Sequence, residues 1–381
     1  MGKLRIYEQE IEARPDELGF IPQKIAELDR HYTELIEEKR LQGAAYLLSR
    51  DKQVFAHKAM GKLRPGDRAE DFRPDSIMRI ASITKLFTAT AVMQLVDRGV
   101  IRVEQFVKEL LEEFDHPLFE KITLFHLLTH TSDICPDPGS YFEPYPVGWG
   151  RFDNENWVEE VLRGHTRVEP GKEWSYSSAG FILLGEIISR VSGLRYEEYV
   201  RENILKPLEM EDSFFEVPED KISRICLFGD ISEEEALKWV EEFKNRPEYS
   251  PPASGGGMFS TLSDLQHFAS MILNKGQYKD KRILSRKSVE TMTRNHLNGI
   301  RDYCWDNYGA IRTYGLGFRV QSDFLLLTPG SVSHEGSGLS AFYIDPEEKL
   351  VFIIFGPLYK GVDWETRAIC NAINIAWSGL I

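Results

Sequence analysis

Ser82 and Lys85 are the first residues in this sequence whose types and spacing could support nucleophilic catalysis. They are three positions apart, and on a helix this spacing places both side chains on one face. Lys85 is the only charged residue between Ile80 and Val96. Burial among apolar side chains lowers the pKa of a lysine, so its amine could accept a proton from the serine hydroxyl. The spacing is common by chance, however, and a lysine near a helix start could instead extend its amine to solvent.

Tyr176 is the second candidate. It lies between Glu173 and Gly180, directly before a long apolar run, so we expect it in a loop that leads into a helix N-terminus. A phenol with an ordinary pKa near 10 is a poor base, but a nearby cation and the helix dipole would favour the phenolate. Packing in the core is the alternative role for this tyrosine.

The third candidate group is His334, Gly336 and Ser337, directly before a predicted strand that begins near Ser340. Glycines let the backbone approach a ligand closely, and backbone amides at such a position can form half of an oxyanion hole. His334 could equally be a histidine of a surface turn. If it binds substrate with an unperturbed pKa near 6.5, the affinity for carboxylates should weaken as the pH rises through that value.

The sequence predicts no metal and no cofactor. His126 and His130 share a helical face, but no carboxylate accompanies them in a His-Glu-x-x-His pattern, so capping or core roles are favoured. The cysteines lie far apart without a Cys-x-x-Cys spacing, which predicts free thiols rather than a zinc site or a redox pair; they are Cys135, Cys226, Cys304 and Cys370.

The overall charge disfavours several classes of partner. Lys and Arg total 46 against 60 Asp and Glu, giving a net charge of -14, and no long basic run is present. Nucleic acid and anionic lipid are therefore poor candidates, and a small molecule or a peptide is expected as substrate. The sequence contains no stretch of about 18 apolar residues, so it predicts no transmembrane segment. Because the first twenty residues lack an apolar signal core, the sequence as printed predicts a cytoplasmic protein, or an extracytoplasmic one if a leader has been removed.

Hydrophobic periodicity predicts the elements that would position these residues. Two apolar runs separated by a charged turn at Asp51 predict a β-hairpin, at 44–49 and 53–59. Further strands are predicted at 316–320, 340–344 and 350–355, and helices at 23–41, 82–96, 106–113, 156–163, 179–191, 262–273 and 363–378.

Strands at both chain ends with helices between them predict an α+β fold, with one antiparallel sheet built from the two ends and a mainly helical inserted region. The expected division is 1–80 with 296–381 for the sheet region and 81–295 for the helical region, with the active site at their junction. Long irregular segments at 131–153 and 295–314 are candidate functional loops. Aromatic residues in the first could form an apolar lip over the site, namely Tyr141, Phe142, Tyr145, Trp149 and Phe152.

Taken together and in this order, the three motifs resemble the active-site motifs of the class C β-lactamase-like serine hydrolases. They read Ser82-Ile-Thr-Lys85, Tyr176-Ser-Ser178 and His334-Glu-Gly336. That group includes DD-peptidases, D-aminopeptidases, esterases and class C β-lactamases. The connecting segments at 127–132, 207–210 and 255–261 are similar to the family as well. The resemblance implies a β-lactamase/transpeptidase-like fold of two regions with the Ser82 helix at their junction.

The resemblance also implies roles for individual residues. Ser82 would attack a carbonyl to form an acyl-enzyme, while Lys85 and Tyr176 shuttle its proton to the leaving group. The backbone amides of Ser82 and Ser337 would hold the oxyanion, next to His334 and Gly336 in the substrate-binding segment. Water would then hydrolyse the ester, with Tyr176 as the base.

Two positions depart from the family pattern and bear on substrate choice. Ser178 stands where Asn is usual, and a hydroxyl cannot offer a carbonyl and an amide together. His334 stands where Lys is usual in true β-lactamases. The predicted function is a serine hydrolase acting on a peptide, ester or β-lactam carbonyl. The alternatives are a penicillin-binding-fold protein that binds ligand or is acylated without efficient turnover, and a non-catalytic scaffold, which would leave Lys85 buried without a purpose.

Overall fold

The computed structural model describes residues 4–66, 69–137, 155–162, 166–229, 234, 250–302, 304, 309–321 and 325–381. The helices in these ranges are α1 Gln23–Glu37, α2 Thr84–Asp97, α3 Leu124–Leu128, α4 Trp157–Val161, α5 Ser178–Ser192, α6 Tyr196–Val200, α7 Leu262–Leu273, α8 Arg286–Thr293 and α9 Arg367–Trp377. The strands are β1 Ile6–Glu8, β2 Gly43–Arg50, β3 Gln53–Gly61, β4 Met78–Arg79, β5 Glu173–Trp174, β6 Phe259–Ser260, β7 Gln277–Tyr278, β8 Lys281–Arg282, β9 Arg301–Asp302, β10 Ala310–Ile311, β11 Arg319–Val320, β12 Val332–Gly336, β13 Ser340–Asp345 and β14 Leu350–Phe355.

Strands from both ends of the chain form one central sheet. Among the described residues it has seven strands in the order β1-β3-β2-β14-β13-β12-β11, and every neighbouring pair is antiparallel. The early hairpin joins the late strands where β2 pairs with β14, with Leu47 opposite Ile353. The α+β fold with an antiparallel sheet assembled from both ends is therefore confirmed.

Each face of the sheet supports its own hydrophobic core, because successive side chains of a strand point to opposite faces. Leu47 and Ile353 belong to the core shared with α2, α5 and α7. Their neighbours Leu48 and Ile354 belong to the opposite core, which α1 and α9 cover. Both faces of β2 and β14 are thus buried, which explains why residues 44–48 and 350–355 are apolar without alternation.

Helix α2 runs through the middle of the first core. Its residues are buried continuously from Thr84 to Leu95, as its almost uniformly apolar sequence predicted. Helices α5 and α6 and the turn Ala253–Gly255 pack against it. A charged side chain inside such a helix needs partners in the surrounding elements, and Lys85 is in that position.

Several predicted elements differ from the observed ones. The helix predicted at 106–113 is wrong: two short 3₁₀ turns, Val107–Glu109 and Glu112–Phe114, occupy this segment. The backbone there has partners outside a helix, because Val107 N donates to Ile122 O at 2.9 Å. The strand predicted at 316–320 is only Arg319–Val320, and the predicted terminal helix at 363–378 is shorter, Arg367–Trp377.

Some sequence predictions remain untested. The aromatic residues proposed to form a lip, Tyr141 to Phe152, lie outside the described residues. The division into 1–80 with 296–381 and 81–295 stays a prediction. No helix in the described parts of the chain is both long and apolar enough to cross a lipid bilayer. All four cysteines are free thiols.

Candidate active site

Ser82 lies in the 3₁₀ turn Ala81–Ile83 that leads into α2. The residue before it, Ala81, has φ of 44°, a left-handed conformation that is uncommon for a residue other than glycine. Strands β12 and β13 pack directly against this turn. Gly336 permits the close approach, because a Cβ atom there would lie 2.3 Å from Ile80 O. The third motif is thereby brought beside the first.

The ammonium of Lys85 is fully buried and has three hydrogen-bond acceptors. Its Nζ lies 3.2 Å from Ser82 Oγ, 3.0 Å from Ser178 Oγ and 2.6 Å from Gly255 O. Burial lowers the pKa of Lys85 to about 8, and the nearby negative charge of Asp137 opposes that shift. Each N–H of the ammonium therefore has an acceptor within the protein, and the side chain does not extend to solvent. With this pKa the amine can lose a proton within an ordinary pH range.

Tyr176 is hydrogen-bonded to Ser82 through its side chain, and its ring centre lies 4.8 Å from Lys85 Nζ. The expectation that its surroundings favour the phenolate is not met. Burial raises the pKa of Tyr176 well above its ordinary value, and the charge of Asp137 adds to the rise. A buried phenolate loses its hydration, and the hydrogen bond with Ser82 and the charge of Arg312, which favour the ionised form, do not compensate for that loss. Tyr176 is a protonated phenol at neutral pH.

His130 packs against one face of the Tyr176 ring. The two rings stack with centroids 4.3 Å apart and an interplanar angle of 30°. His130 Nδ1 accepts a hydrogen bond of 3.1 Å from Ser177 N, and burial lowers the pKa of the imidazole well below its ordinary value. His126 caps α3 by accepting a hydrogen bond of 3.1 Å from Thr123 N. The predicted core and capping roles of these two histidines are confirmed.

His334 is placed differently from the prediction. It precedes the strand that begins at Ser340, as predicted, but it lies within β12, and only 6% of its surface is exposed, so the alternative of a surface-turn histidine is wrong. Burial and the nearby charge of Lys85 lower the pKa of His334 to about 3. Its Nδ1 donates to Glu335 O at 2.8 Å. The expected titration near pH 6.5 is therefore wrong, because the buried ring is neutral throughout the physiological range.

The rest of the third motif borders the Ser82 turn. Gly336 ends β12, and Ser337 follows it at an exposed position. Leu339 N then donates to Gly336 O at 3.1 Å, which closes the turn into β13. Ser340 Oγ donates to Ile80 O at 3.0 Å and ties this turn to the segment before Ser82.

Asp137 is a residue of the site that sequence reasoning missed. Its carboxylate accepts hydrogen bonds from Ser178, at 2.6 Å from the backbone N and 2.8 Å from Oγ. Its backbone N donates to Tyr176 O at 2.9 Å. No motif or periodicity marks Asp137 itself, which is 41 positions before Ser178 in the chain; the signal available was its place in the candidate functional loop 131–153.

Arg312 is a second residue that the sequence analysis did not single out, although it lies in the candidate functional loop 295–314. Its guanidinium lies 3.9 Å from the ring centre of Trp174 and 3.4 Å from an Asp302 carboxylate oxygen. Its positive charge contributes to the lowered pKa of His334. The site therefore contains a cation beside the neutral histidine. No group of three or more side chains in the described residues could hold a metal ion.

The fold and the cluster around Ser82 define a protein of the penicillin-binding and β-lactamase fold. The Beta-lactamase family model matches residues 28–361, so the chain belongs to that family. Esterase EstB of Burkholderia gladioli is 30% identical over 50% of this chain and 51% of its own. A putative D-alanyl-D-alanine carboxypeptidase of Escherichia coli O157:H7 is 23% identical over 90% of this chain and 84% of its own. The structure of an octameric penicillin-binding protein homologue from Pyrococcus abyssi is also similar, with a TM-score of 0.68 and 25% identity over 88% of this chain and 73% of that one.

Proposed function

We propose that this protein is a serine hydrolase that cleaves an ester or peptide carbonyl through an acyl-enzyme on Ser82. The observation that carries the proposal is the position of the Ser82 hydroxyl, which contacts both Lys85 Nζ at 3.2 Å and the side chain of Tyr176. A serine is a weak nucleophile until an adjacent group accepts its proton. Relatives named esterase and carboxypeptidase support the same class of reaction.

The protonation states favour different roles for the two side chains that contact Ser82, with Lys85 as the base and Tyr176 as the acid. Lys85, with a pKa of about 8, can take the proton of Ser82 as the hydroxyl attacks the carbonyl carbon. Tyr176, with its pKa raised well above the ordinary value by burial, begins protonated and can donate its proton to the leaving group. Lys85 then returns a proton to Tyr176. Water completes the cycle by hydrolysing the acyl-enzyme.

The oxyanion of the tetrahedral intermediate would be held by the backbone N–H groups of Ser82 and Ser337. Donors aimed at developing negative charge are among the largest contributions to catalysis. The close approach of Gly336 to Ile80 O supports this assignment, because it holds the turn after β12 beside the Ser82 turn. His334 and Gly336 would border the bound substrate, and Ser178 would act through Lys85.

Slow or absent turnover is the alternative function, and Ser178 is the observation that favours it. The family usually has Asn at this position, and the hydroxyl of Ser178 is engaged with both Lys85 and Asp137. A protein with a reactive Ser82 and a poorly activated water would be acylated without efficient release. The two functions share the acylation step and differ only in deacylation.

A fluorophosphonate probe and p-nitrophenyl butyrate test both functions. We expect one probe molecule per chain, attached to Ser82, and steady release of p-nitrophenol. Ser82→Ala should abolish both, and the control Ser378→Ala, at an exposed position, should retain both. A single burst of one p-nitrophenol per chain would indicate acylation without turnover. Labelling or turnover that persists in Ser82→Ala would contradict the proposal.

A further inference from the structure

The hydrogen bonds between Asp137, Ser178 and Lys85 have a fixed direction. An ionised carboxylate only accepts hydrogen bonds, so the single proton of the Ser178 hydroxyl points at Asp137 Oδ2, 2.8 Å away. Ser178 Oγ can then offer only a lone pair to Lys85 Nζ at 3.0 Å. The third neighbour, Gly255 O at 2.6 Å, is a carbonyl and also only accepts.

This direction decides where Lys85 can accept a proton. As an ammonium, it donates one hydrogen bond to each of Ser82, Ser178 and Gly255. As a neutral amine it has one lone pair, and that lone pair must face a group that can donate. Neither Ser178 nor Gly255 has a proton to give, so the lone pair faces Ser82 Oγ.

We propose that Asp137 is a positioning residue that holds the Ser178 hydroxyl so that the lone pair of neutral Lys85 points at Ser82. The inference rests on the proposed function, because it takes Ser82 as the nucleophile. In the related enzymes the position of Ser178 usually carries Asn. In this chain the shorter hydroxyl and the carboxylate of Asp137 together occupy the position beside Lys85.

Among the described residues near Lys85, the two histidines and the tyrosine keep one protonation state between pH 5 and 9. His130 and His334 are neutral there, because burial lowers the pKa of both, and Tyr176 remains protonated because burial raises its pKa. Arg312, whose charge reaches both Tyr176 and His334, stays cationic. A pH profile across this range therefore reports mainly on Lys85.

Asp137→Asn is the sharpest variant, because it keeps the shape of the side chain and removes its charge. An opposite charge nearby raises the pKa of a lysine, so its loss should move the rising limb of kcat/KM to lower pH by about one unit. The Asn amide can also donate a hydrogen bond to Ser178 Oγ. The Ser178 hydroxyl is then free to donate its own proton to the lone pair of neutral Lys85, which turns that lone pair away from Ser82. We therefore expect kcat on the high-pH plateau to fall by about tenfold, with KM changed less.

Two further variants separate positioning from loss of structure. Asp133→Asn is the matched control: Asp133 is a buried carboxylate in the same segment, but it binds Arg167 and Val168. Asp133→Asn should lower the thermal unfolding midpoint but leave the rising limb of the kcat/KM pH profile where it is in the wild type. Ser178→Ala removes the connecting hydroxyl, and in that background Asp137→Asn should no longer lower the plateau. Ser178→Ala alone tests the same network if Asp137→Asn does not fold, and it should lower the plateau by a similar factor.

A direct titration of Lys85 distinguishes failure of this inference from failure of the proposed function. Lysine labelled with ¹³C at the ε position, assigned with Lys85→Arg, reports the charge of Lys85 without any substrate. If the wild type is neither labelled by fluorophosphonate nor active on esters, the proposed function fails and the titration still measures the influence of Asp137. If the wild type is active and neither the limb, the plateau nor the Lys85 titration changes in Asp137→Asn, the positioning role is overturned.

Discussion

The imidazole of His334 occupies a crowded and positively charged part of the site. Lys85, Arg312 and Arg319 all lower its pKa in addition to the effect of burial, and its ring centroid lies 6.4 Å from that of Tyr176. Protonating this ring would bury a further cation among existing ones. The lysine that is usual in true β-lactamases would be charged in ordinary conditions, whereas the residue at this position of the present chain is neutral.

The neutral His334 leads to a prediction about substrate charge. We expect the ratio of KM for an aryl succinate, which carries a free carboxylate, to KM for the neutral aryl butyrate to stay constant from pH 5.5 to 8.5. His334→Lys should lower KM for the succinate about ten- to a hundredfold, through a charge-assisted hydrogen bond. The gain should be largest at the acidic end, because Lys85 and burial would lower the pKa of the new lysine.

The measurement is a set of KM values for the two esters at each pH, with His334→Ala as the control. Taking the ratio removes the contribution of Lys85 to both reactions. A wild-type ratio that changes with a midpoint near pH 6.5, and is flat in His334→Ala, would show that the histidine titrates and would contradict the neutral assignment.

At the scale of elements, the N-terminus of α5 joins the second motif to the loop before it. Ser177 is the N-cap, and its Oγ accepts a hydrogen bond of 3.0 Å from Gly180 N. The same hydroxyl donates to Ile134 O at 2.6 Å. Residues on both sides of Ser177 contact Lys85, so this cap sets the position of Tyr176 and Ser178 together.

Ser177→Ala should therefore affect both stability and catalysis. Loss of an N-cap costs about 1 kcal/mol of unfolding free energy, and loss of the bond to a buried carbonyl adds about 1 kcal/mol. We expect kcat to fall as well, since the residues beside the cap would shift. Ser285→Ala is the matched control, because Ser285 caps α8 by accepting a hydrogen bond of 3.0 Å from Ser288 N. It should lower the unfolding free energy by about 1 kcal/mol without changing kcat, whereas an equal fall in kcat for both variants would refute a local effect.

At the scale of the whole molecule, Glu365 ties the two chain ends together. It receives hydrogen bonds from Arg40, which follows α1, at 2.6 Å and from Arg367, at the start of α9, at 3.0 Å. Burial disfavours its ionised form, but the hydrogen bonds from Arg367 and Arg40 outweigh that effect and lower the pKa of Glu365 to about 2. Folding therefore stabilises the ionised form of the Glu365 carboxyl relative to its protonated form.

This shift predicts how stability depends on pH. A lowered folded-state pKa contributes stability that is fully present above the ordinary glutamate pKa of about 4.3 and is lost as the pH falls towards 2. Glu365→Gln should lower the unfolding free energy by about 1.5–3 kcal/mol at pH 7. The difference from the wild type should shrink below pH 4.3. Urea unfolding of both proteins at pH 7, 4 and 3 measures this difference in unfolding free energy.

Glu38→Gln provides the comparison for that experiment. Glu38 binds the same Arg367 at 2.9 Å, but its side chain is 51% exposed. An exposed ion pair contributes about 0–1 kcal/mol, so this variant should be close to the wild type at every pH. If Glu365→Gln and Glu38→Gln behave alike, the Glu365 cluster does not hold the chain ends together.

The sequence alone predicted features that depend on neighbouring residues. Helix α7 at Leu262–Leu273 and strand β14 at Leu350–Phe355 have the predicted bounds, because a helix cap and an uninterrupted apolar run are local signals. The pairing of Ser82 with Lys85 followed from a spacing of three residues on one helical turn. The antiparallel sheet built from both chain ends followed from the order of strands and helices along the chain.

Only the tertiary structure decided the electrostatics of the site. Asp137 reaches Ser178 across 41 positions of sequence, and no local pattern could indicate that contact. The neutral state of His334 and the protonated state of Tyr176 both depend on burial by β-strands and helices from distant parts of the chain. Residue types and spacing therefore identify which groups could react, whereas the charge on each group is set by its solvation and by neighbours that only folding brings together.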